Sequence, residues 1–166
     1  MAKQDSRRVE YLRREYNYNN VFDVVLAAPF EPEVENGCES KFSFYDEIGD
    51  AVRKLGKRIF MPHRELLLSW SVYKIYNVAN EIVIPSSDIM LCYMGIESTA
   101  AEMMVAKAQL TGIPVVYFFE KYLNRKVPVL ANGDEPLGKV SIIKFDSDKD
   151  GIDKLVENLN RFYEIR

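Results

Sequence analysis

The chain has 166 residues, 48% hydrophobic and 28% charged, ordinary for a globular protein and long enough to bury a substantial core as one domain spanning 1–166. A formal net charge of −3 and a pI near 5.3 give no basic footprint for nucleic acid or an anionic membrane, and no apolar run approaches the roughly 20 residues of a membrane span. The N-terminus MAKQDSRRVEYLRREY lacks the apolar segment of a secretory signal, and Cys38 and Cys92 form neither a CxxC nor a Cys/His cluster, so the expectation is a cytoplasmic protein without disulfides or zinc.

Residues 5–16 predict a helix with Val9, Leu12 and Tyr16 on one face, appended to the core within 1–20 and broken by YNYNN at 16–20. Val21–Ala28 is β-branched and apolar, hence a strand, ended by Pro29. The loop Phe30–Ser40 is polar, contains Pro32 and Gly37, and has the length of an active-site loop. Phe42, Tyr45, Ile48, Val52 and Leu55 recur at helical spacing, so 41–55 is an amphipathic helix ending at Gly56. Arg58–Met61 is a short strand closed by Pro62, with His63 and Arg64 directly after it. Residues 65–81 predict one helix carrying Leu67, Trp70, Val72, Tyr73, Tyr76 and Val78 around its circumference, with Pro85 and Ser86 separating it from the next strand.

The stretch SDIMLCYMGIESTAAEMMVAKAQLTGIPVVYFF, Ser87 to Phe119, is the most legible part. Ile89–Tyr93 reads as a buried strand, Gly95 as a turn, and the segment after Glu97, Ser98 and Thr99 as a helix with Glu102 in its first turn. Gly112 and Pro114 end that helix, and Val115–Phe119 is a second buried strand. After it, Glu120–Gly138 reads as a long loop, Val140–Phe145 as the last strand, and Ile152, Leu155, Leu159 and Phe162 as the apolar face of a terminal helix. Five strands, each followed by a helix or long connection, predict an α/β fold. The expected form is a single doubly wound parallel five-stranded sheet of flavodoxin-like order 2-1-3-4-5, with helices on both faces. Ligands bind such sheets outside the carboxyl ends of the strands at the switch point, here between strands 1 and 3. The loops there are Ala28–Ser40 and Met94–Thr99.

Glu102 is the candidate chemical centre. A carboxylate in a first helical turn is favoured by the macrodipole alone. Beside the hydroxyls of Ser98 and Thr99, with Gly95 permitting close approach to the backbone, it can also bind sugar hydroxyls or attack an anomeric carbon. His63 and Arg64 belong to the same carboxyl edge; a lone histidine is commonly a surface or capping residue, whereas a guanidinium suits a phosphate. Phe30 and Tyr45 are candidates for stacking on a base, although periodicity already explains Tyr45 as core.

In order and spacing these segments resemble the nucleoside 2-deoxyribosyltransferase-like family, over roughly residues 22–119. The elements are Ala27-Ala28-Pro29-Phe30 at the end of strand 1, Ser87-Asp88 before strand 3, and Thr99-Ala100-Ala101-Glu102 opening the next helix. The resemblance implies cleavage or transfer of the N-glycosidic bond of a nucleoside or nucleotide. Glu102 would be the nucleophile that forms a glycosyl-enzyme, and the loop residues Ala28, Pro29, Phe30, Gly95, Ser98 and Thr99 would shape the substrate site. It implies no cofactor or metal, a small-molecule partner rather than nucleic acid or membrane, and a homo-oligomer with sites near subunit interfaces. The N-terminal helix and the Trp70 helix are the expected contacts.

Two positions depart from the family pattern. Asn80 stands eight residues before Asp88, where members carry an Asp; an amide can hydrogen-bond a hydroxyl but is no general acid. Ile96 stands six residues before Glu102, where members carry Asp or Ser. A proton donor, if needed, would come from Glu31, Glu33 or His63. Asp88, at the opposite end of its strand, is assigned a structural role. These departures favour the alternative of a catalytically weak nucleotide-binding or sensing domain on the same scaffold, with a flavin-binding module as a more generic third reading. Asp146, Asp148, Asp150, Gly151 and Glu157 match a calcium-loop formula, but the strand VSIIKF precedes them where such a loop needs a helix. They read as a strand-to-helix turn capped by Asp150, and the basic run Lys121–Lys126 reads as a solvated loop.

Overall fold

The apolar runs form the strands expected of them. In the computed structural model, which describes residues 6–31, 37–67, 70–123 and 140–165, β1 (Val24–Ala27), β2 (Ile59–Phe60), β3 (Ile89–Tyr93), β4 (Val115–Glu120) and β5 (Val140–Phe145) make one sheet. Its order is β2-β1-β3-β4-β5 and every pairing is parallel. This is the α/β sheet of order 2-1-3-4-5 that the sequence predicts. The loop tip at 32–36, which holds Glu33, lies outside the described residues. So do residues 124–139, within the predicted loop Glu120–Gly138, and with them the end of the basic run Lys121–Lys126.

Strand side chains alternate between two cores, as a pleat of period two requires. Val25, Ala27, Met90, Cys92, Val115 and Tyr117 face one core; Val24, Leu26, Leu91, Tyr93, Val116 and Phe118 face the other. Burial on both faces is why these runs are continuously apolar rather than alternating. Each fully buried Leu or Phe among them contributes about 1.5–3 kcal/mol.

The second core is covered by α2 (Phe42–Lys54) and α7 (Asp148–Glu164), through Phe44, Tyr45, Ile48 and Val52 on one and Leu155 and Leu159 on the other. The first is covered by α6 (Thr99–Thr111) and by the helical stretch after β2, with α1 (Ser6–Glu15) packed outside it through Val9 and Leu12. The β1 connection therefore turns to one face and the β3 connection to the other, which opens a crevice at the β1/β3 carboxyl edge.

The connection after β2 differs from the single helix expected over 65–81. A short α3 (Pro62–Leu67) begins directly after the strand, Pro62 being tolerated where a first turn needs no N–H. α4 (Val72–Val78) starts anew with Ser71 as its cap, the Ser71 hydroxyl accepting from the Lys74 N–H at 3.2 Å. Trp70 lies between them, its ring edge-on to Tyr18 at 5.4 Å. α4 then passes through a π turn, Ala79–Val83, into α5 (Ile84–Ser86). Pro85, which lacks an N–H and crowds the carbonyl four residues back, sits just past this widened turn rather than outside the helix. At the chain's end, β5 leads through a two-residue turn into α7. The cap there is Ser147, whose hydroxyl accepts from the Asp150 N–H at 3.3 Å, so Asp150 lies inside the first turn instead of capping it. Asp150 pairs with Lys154 at 2.7 Å and Asp146 with Lys121 at 2.5 Å.

Candidate functional site

Glu102 lies in the first turn of α6 and is exposed, at the carboxyl edge beside β3. Its place is set by Ser98, whose hydroxyl accepts from the Ala101 N–H at 3.1 Å while its carbonyl takes the Glu102 N–H at 3.1 Å. Extended backbone at Ser98 turns the chain from the loop into the helix, and Thr99 opens the helix on the solvent side. Cys92, one residue before the end of β3, is buried. Burial pushes its thiol up to about 12, and the Glu102 carboxylate adds to the shift, so the two groups are electrostatic neighbours.

On the same face, the segment after β1 and the π turn of the α4–α5 stretch meet. Ala28, Pro29 and Phe30 are buried, and the Phe30 ring packs on Tyr76 with centroids 5.4 Å apart. Phe30 is therefore part of the core rather than a free stacking surface. The Tyr76 hydroxyl donates to Glu31 Oε1 at 2.6 Å. One turn on, Asn80 Nδ2 donates to the Tyr76 carbonyl at 3.0 Å, and Asn80 Oδ1 is buried with no hydrogen-bond partner among the described residues. Lys107 of α6 reaches Glu81 at 3.3 Å, which fastens the π turn to the helix that carries Glu102.

His63 and Arg64 belong to the other face. His63 is 3% exposed, its ring stacked on Phe42 at 5.1 Å and edge-on to Tyr45 at 5.5 Å. Its Nε2 shares a hydrogen bond with Asp46 Oδ1 at 2.8 Å, and Arg64 Nε donates to the same oxygen at 2.6 Å. Burial lowers the His63 imidazole below its ordinary value against the opposing pull of Asp46. Burial raises Asp46, but the hydrogen bonds from His63 and Arg64 outweigh it and hold the carboxyl below the usual range. Asp46 thus engages both residues that the sequence offered for the substrate, and it joins α2 to α3.

A third cluster contains groups the sequence reading did not select. Glu120 ends β4, is 3% exposed, and accepts the Tyr93 hydroxyl at 2.8 and 3.0 Å on its two oxygens. Lys41 Nζ lies 2.6 Å from Glu120 Oε1 and 3.4 Å from Asp148. Gly95 packs on this pair: a Cβ there would stand 1.8 Å from the Tyr93 hydroxyl oxygen and 2.6 Å from Glu120 Oε2. The close approach that requires glycine at 95 is made by the protein itself, not by a ligand. Ile96, next in the loop, packs on the second core.

The fold is shared with two solved structures. Over 80% of this chain and 95% of the other, it matches the Clostridium botulinum CMP N-glycosidase BcmB, with a TM-score of 0.61 and 15% sequence identity. It matches the solution structure of BlsM over 84% and 94% of the two chains, with a TM-score of 0.64 and 20% identity. No protein-family model matches the chain, and no curated protein matches it in sequence.

The residues expected to form one site thus fall into three groups, Gly95 lying with Tyr93 and Glu120. Glu102, Ser98, Thr99, Asn80 and the Phe30–Glu31 segment lie on the α6 side, whereas His63 and Arg64 lie with α2. Among the residues sequence reasoning missed, Glu120 had a signal, since a carboxylate ends the otherwise apolar run VVYFFE at a strand's carboxyl end. Asp46 had none, because its partners are 17 and 18 residues away and its neighbours obey ordinary helical periodicity.

Proposed function

We propose that the chain cleaves or transfers the N-glycosidic bond of a nucleoside or nucleotide, with Glu102 as nucleophile. The reading takes residues 1–166 as one such domain with 1–20 appended. The observation that carries it is the placement of Glu102: an exposed carboxylate in a capped first turn, at the switch-point crevice of a sheet whose fold matches that of a CMP N-glycosidase. A Glu102 oxygen would attack C1′, forming a C1′–O bond as the C1′–N bond breaks and its electron pair leaves with the base. Water or a second base then attacks C1′, and Glu102 is released as carboxylate. Two successive inversions retain configuration. Ser98 holds the helix start, and Asn80 Oδ1 offers an acceptor to a sugar hydroxyl.

Incubation with a panel of nucleosides and 5′-mononucleotides, with chromatography of the products, tests this. Free base is expected from at least one member, with loss of about 1,000-fold or more in Glu102→Ala. Release that survives that substitution, or ligand binding with no release from any member, overturns it. The second result would favour a binding or sensing domain, the reading supported by the amide nitrogen of Asn80 being tied to Tyr76. Assembly is part of the proposal: α6 exposes Met103 and Leu110 beside Glu102, an apolar strip suited to a second copy of this chain.

A further inference from the structure

We infer that Glu31 is the acid/base partner of Glu102, held in place by Tyr76; this rests on the N-glycosidic reading above. A nucleobase leaves C1′ as an anion unless its nitrogen receives a proton, so the site needs a donor on the leaving-group side. Asn80 carries no transferable proton of suitable acidity. His63 is buried between two rings with Nε2 on Asp46, on the α2 side of the sheet.

Glu31 is placed differently. Ala27 of β1 and Cys92 of β3 are directly paired in the sheet register. Glu31 lies four residues past Ala27, at the carboxyl edge, and Glu102 is the charge felt by the Cys92 thiol. The intervening Phe30 packs in the same core as Cys92, Ala100, Ala101 and Met104, so the chain leaving β1 runs over the α6 face. The two carboxyl groups therefore approach the same Ala27–Cys92 step, one from each strand's connection.

Tyr76 supplies what a catalytic carboxyl requires besides position. Its hydroxyl fixes Oε1 of Glu31 at 2.6 Å, and its own ring is held by Phe30. The widened π turn comes immediately after α4, which carries Tyr76, and such turns recur at functional sites. In the first step the protonated Glu31 carboxyl gives its proton to the base nitrogen as the C1′–N electron pair arrives there. In the second, a water oxygen attacks C1′, the electron pair of the C1′–O bond returns to Glu102, and the water proton passes to Glu31. The net change is addition of water across the glycosidic bond, with both carboxyl groups restored.

The test is the dependence of rate on leaving-base acidity. Base release from CMP, UMP, 5-fluoro-UMP and 5-bromo-UMP is measured for wild type, Glu31→Gln and Tyr76→Phe, with thermal melts confirming folding. Glu31→Gln is expected to lose about 100-fold or more in kcat on CMP and UMP. It should lose much less on the halogenated bases, which need the proton less, so its dependence on base acidity steepens. Tyr76→Phe keeps the ring and should show the same steepening with a loss of about 10-fold. Equal losses across the series mark a structural role and overturn the inference, as does an unaffected Glu31→Gln, while the N-glycosidic reading stands. No release by wild type from these four or from any other member of the nucleoside and 5′-mononucleotide panel, or release surviving in Glu102→Ala, removes that reading and this inference together.

Discussion

Glu120 shows how a charge is kept inside this sheet. A carboxylate at this depth is costly unless its oxygens are occupied, and here Tyr93 contacts both oxygens while Lys41 bonds one. The effects on the partners agree. Burial raises the Tyr93 phenol, and the hydrogen bond to Glu120 raises it further. Burial alone would lower Lys41, but Glu120 first and Asp148 second raise it above its ordinary value. Glu120→Ala removes the shared partner, leaving the Tyr93 hydroxyl buried and Lys41 with Asp148 alone. The expected cost is about 3 kcal/mol, at the low end for a broken buried pair because Lys41 is partly exposed and can recover water. Urea unfolding of the variant against wild type measures it. Glu120→Gln, which still accepts from Tyr93, should cost less than half as much; equal costs would mean that the ion pair to Lys41 carries the whole contribution and the Tyr93 hydrogen bond none.

Among the elements, α2 and α3 are joined by Asp46, His63 and Arg64, and this junction is sensitive to acid. Both the His63 imidazole and the Asp46 carboxyl have folded values below their ordinary ones of 6.5 and 3.8. A group lowered on folding binds its proton more readily in the unfolded chain, so stability is present above the ordinary value and is lost as pH falls below it. His63 acts first, from about 6.5 downward, and Asp46 acts next, from about 3.8 downward. Thermal melts from about pH 8 to about pH 5 should show a falling melting temperature below 6.5, flattened in His63→Gln; an unchanged slope in that variant would assign the acid sensitivity elsewhere. None of this junction was legible in the sequence, because helical periodicity accounts for Phe42 and Tyr45 without reporting that their rings enclose a histidine. The break in the predicted helix 65–81 was missed for a related reason. Apolar residues continue through it, and only Ser71, a weak cap signal when read alone, marks the restart.

For the whole molecule, sequence reading captured the sheet: five apolar runs of strand length, separated by amphipathic helical segments, admit few arrangements once crossovers are right-handed. The position of Glu102 came from the same logic, since Ser98, the strand and the helix start are neighbours in the chain. Glu31 was open to sequence reading as a proton donor, but its partner was not: Glu31–Tyr76 joins a loop to α4 and Lys41–Glu120 joins the start of α2 to the end of β4, contacts 45 and 79 residues apart that periodicity does not record. No helix among the described residues is long and apolar enough to cross a membrane, and α6 presents an apolar strip at the surface. Met103 is 59% and Leu110 85% exposed, two turns apart on one side. If this strip joins copies of the chain, light scattering should report an oligomer for wild type and a monomer for Met103→Glu combined with Leu110→Glu; a monomeric wild type removes the expectation. The π turn at Ala79–Val83 has a further consequence, for how this chain is compared with others. It amounts to one inserted residue within an otherwise continuous helix, so everything before it is advanced by about 100° relative to an unbroken helix counted back from β3. Against a relative without the insertion, Tyr76 would stand where that protein carries residue 77 of the same count. A gap of one at the turn, rather than an ungapped match, is the alignment that respects the geometry.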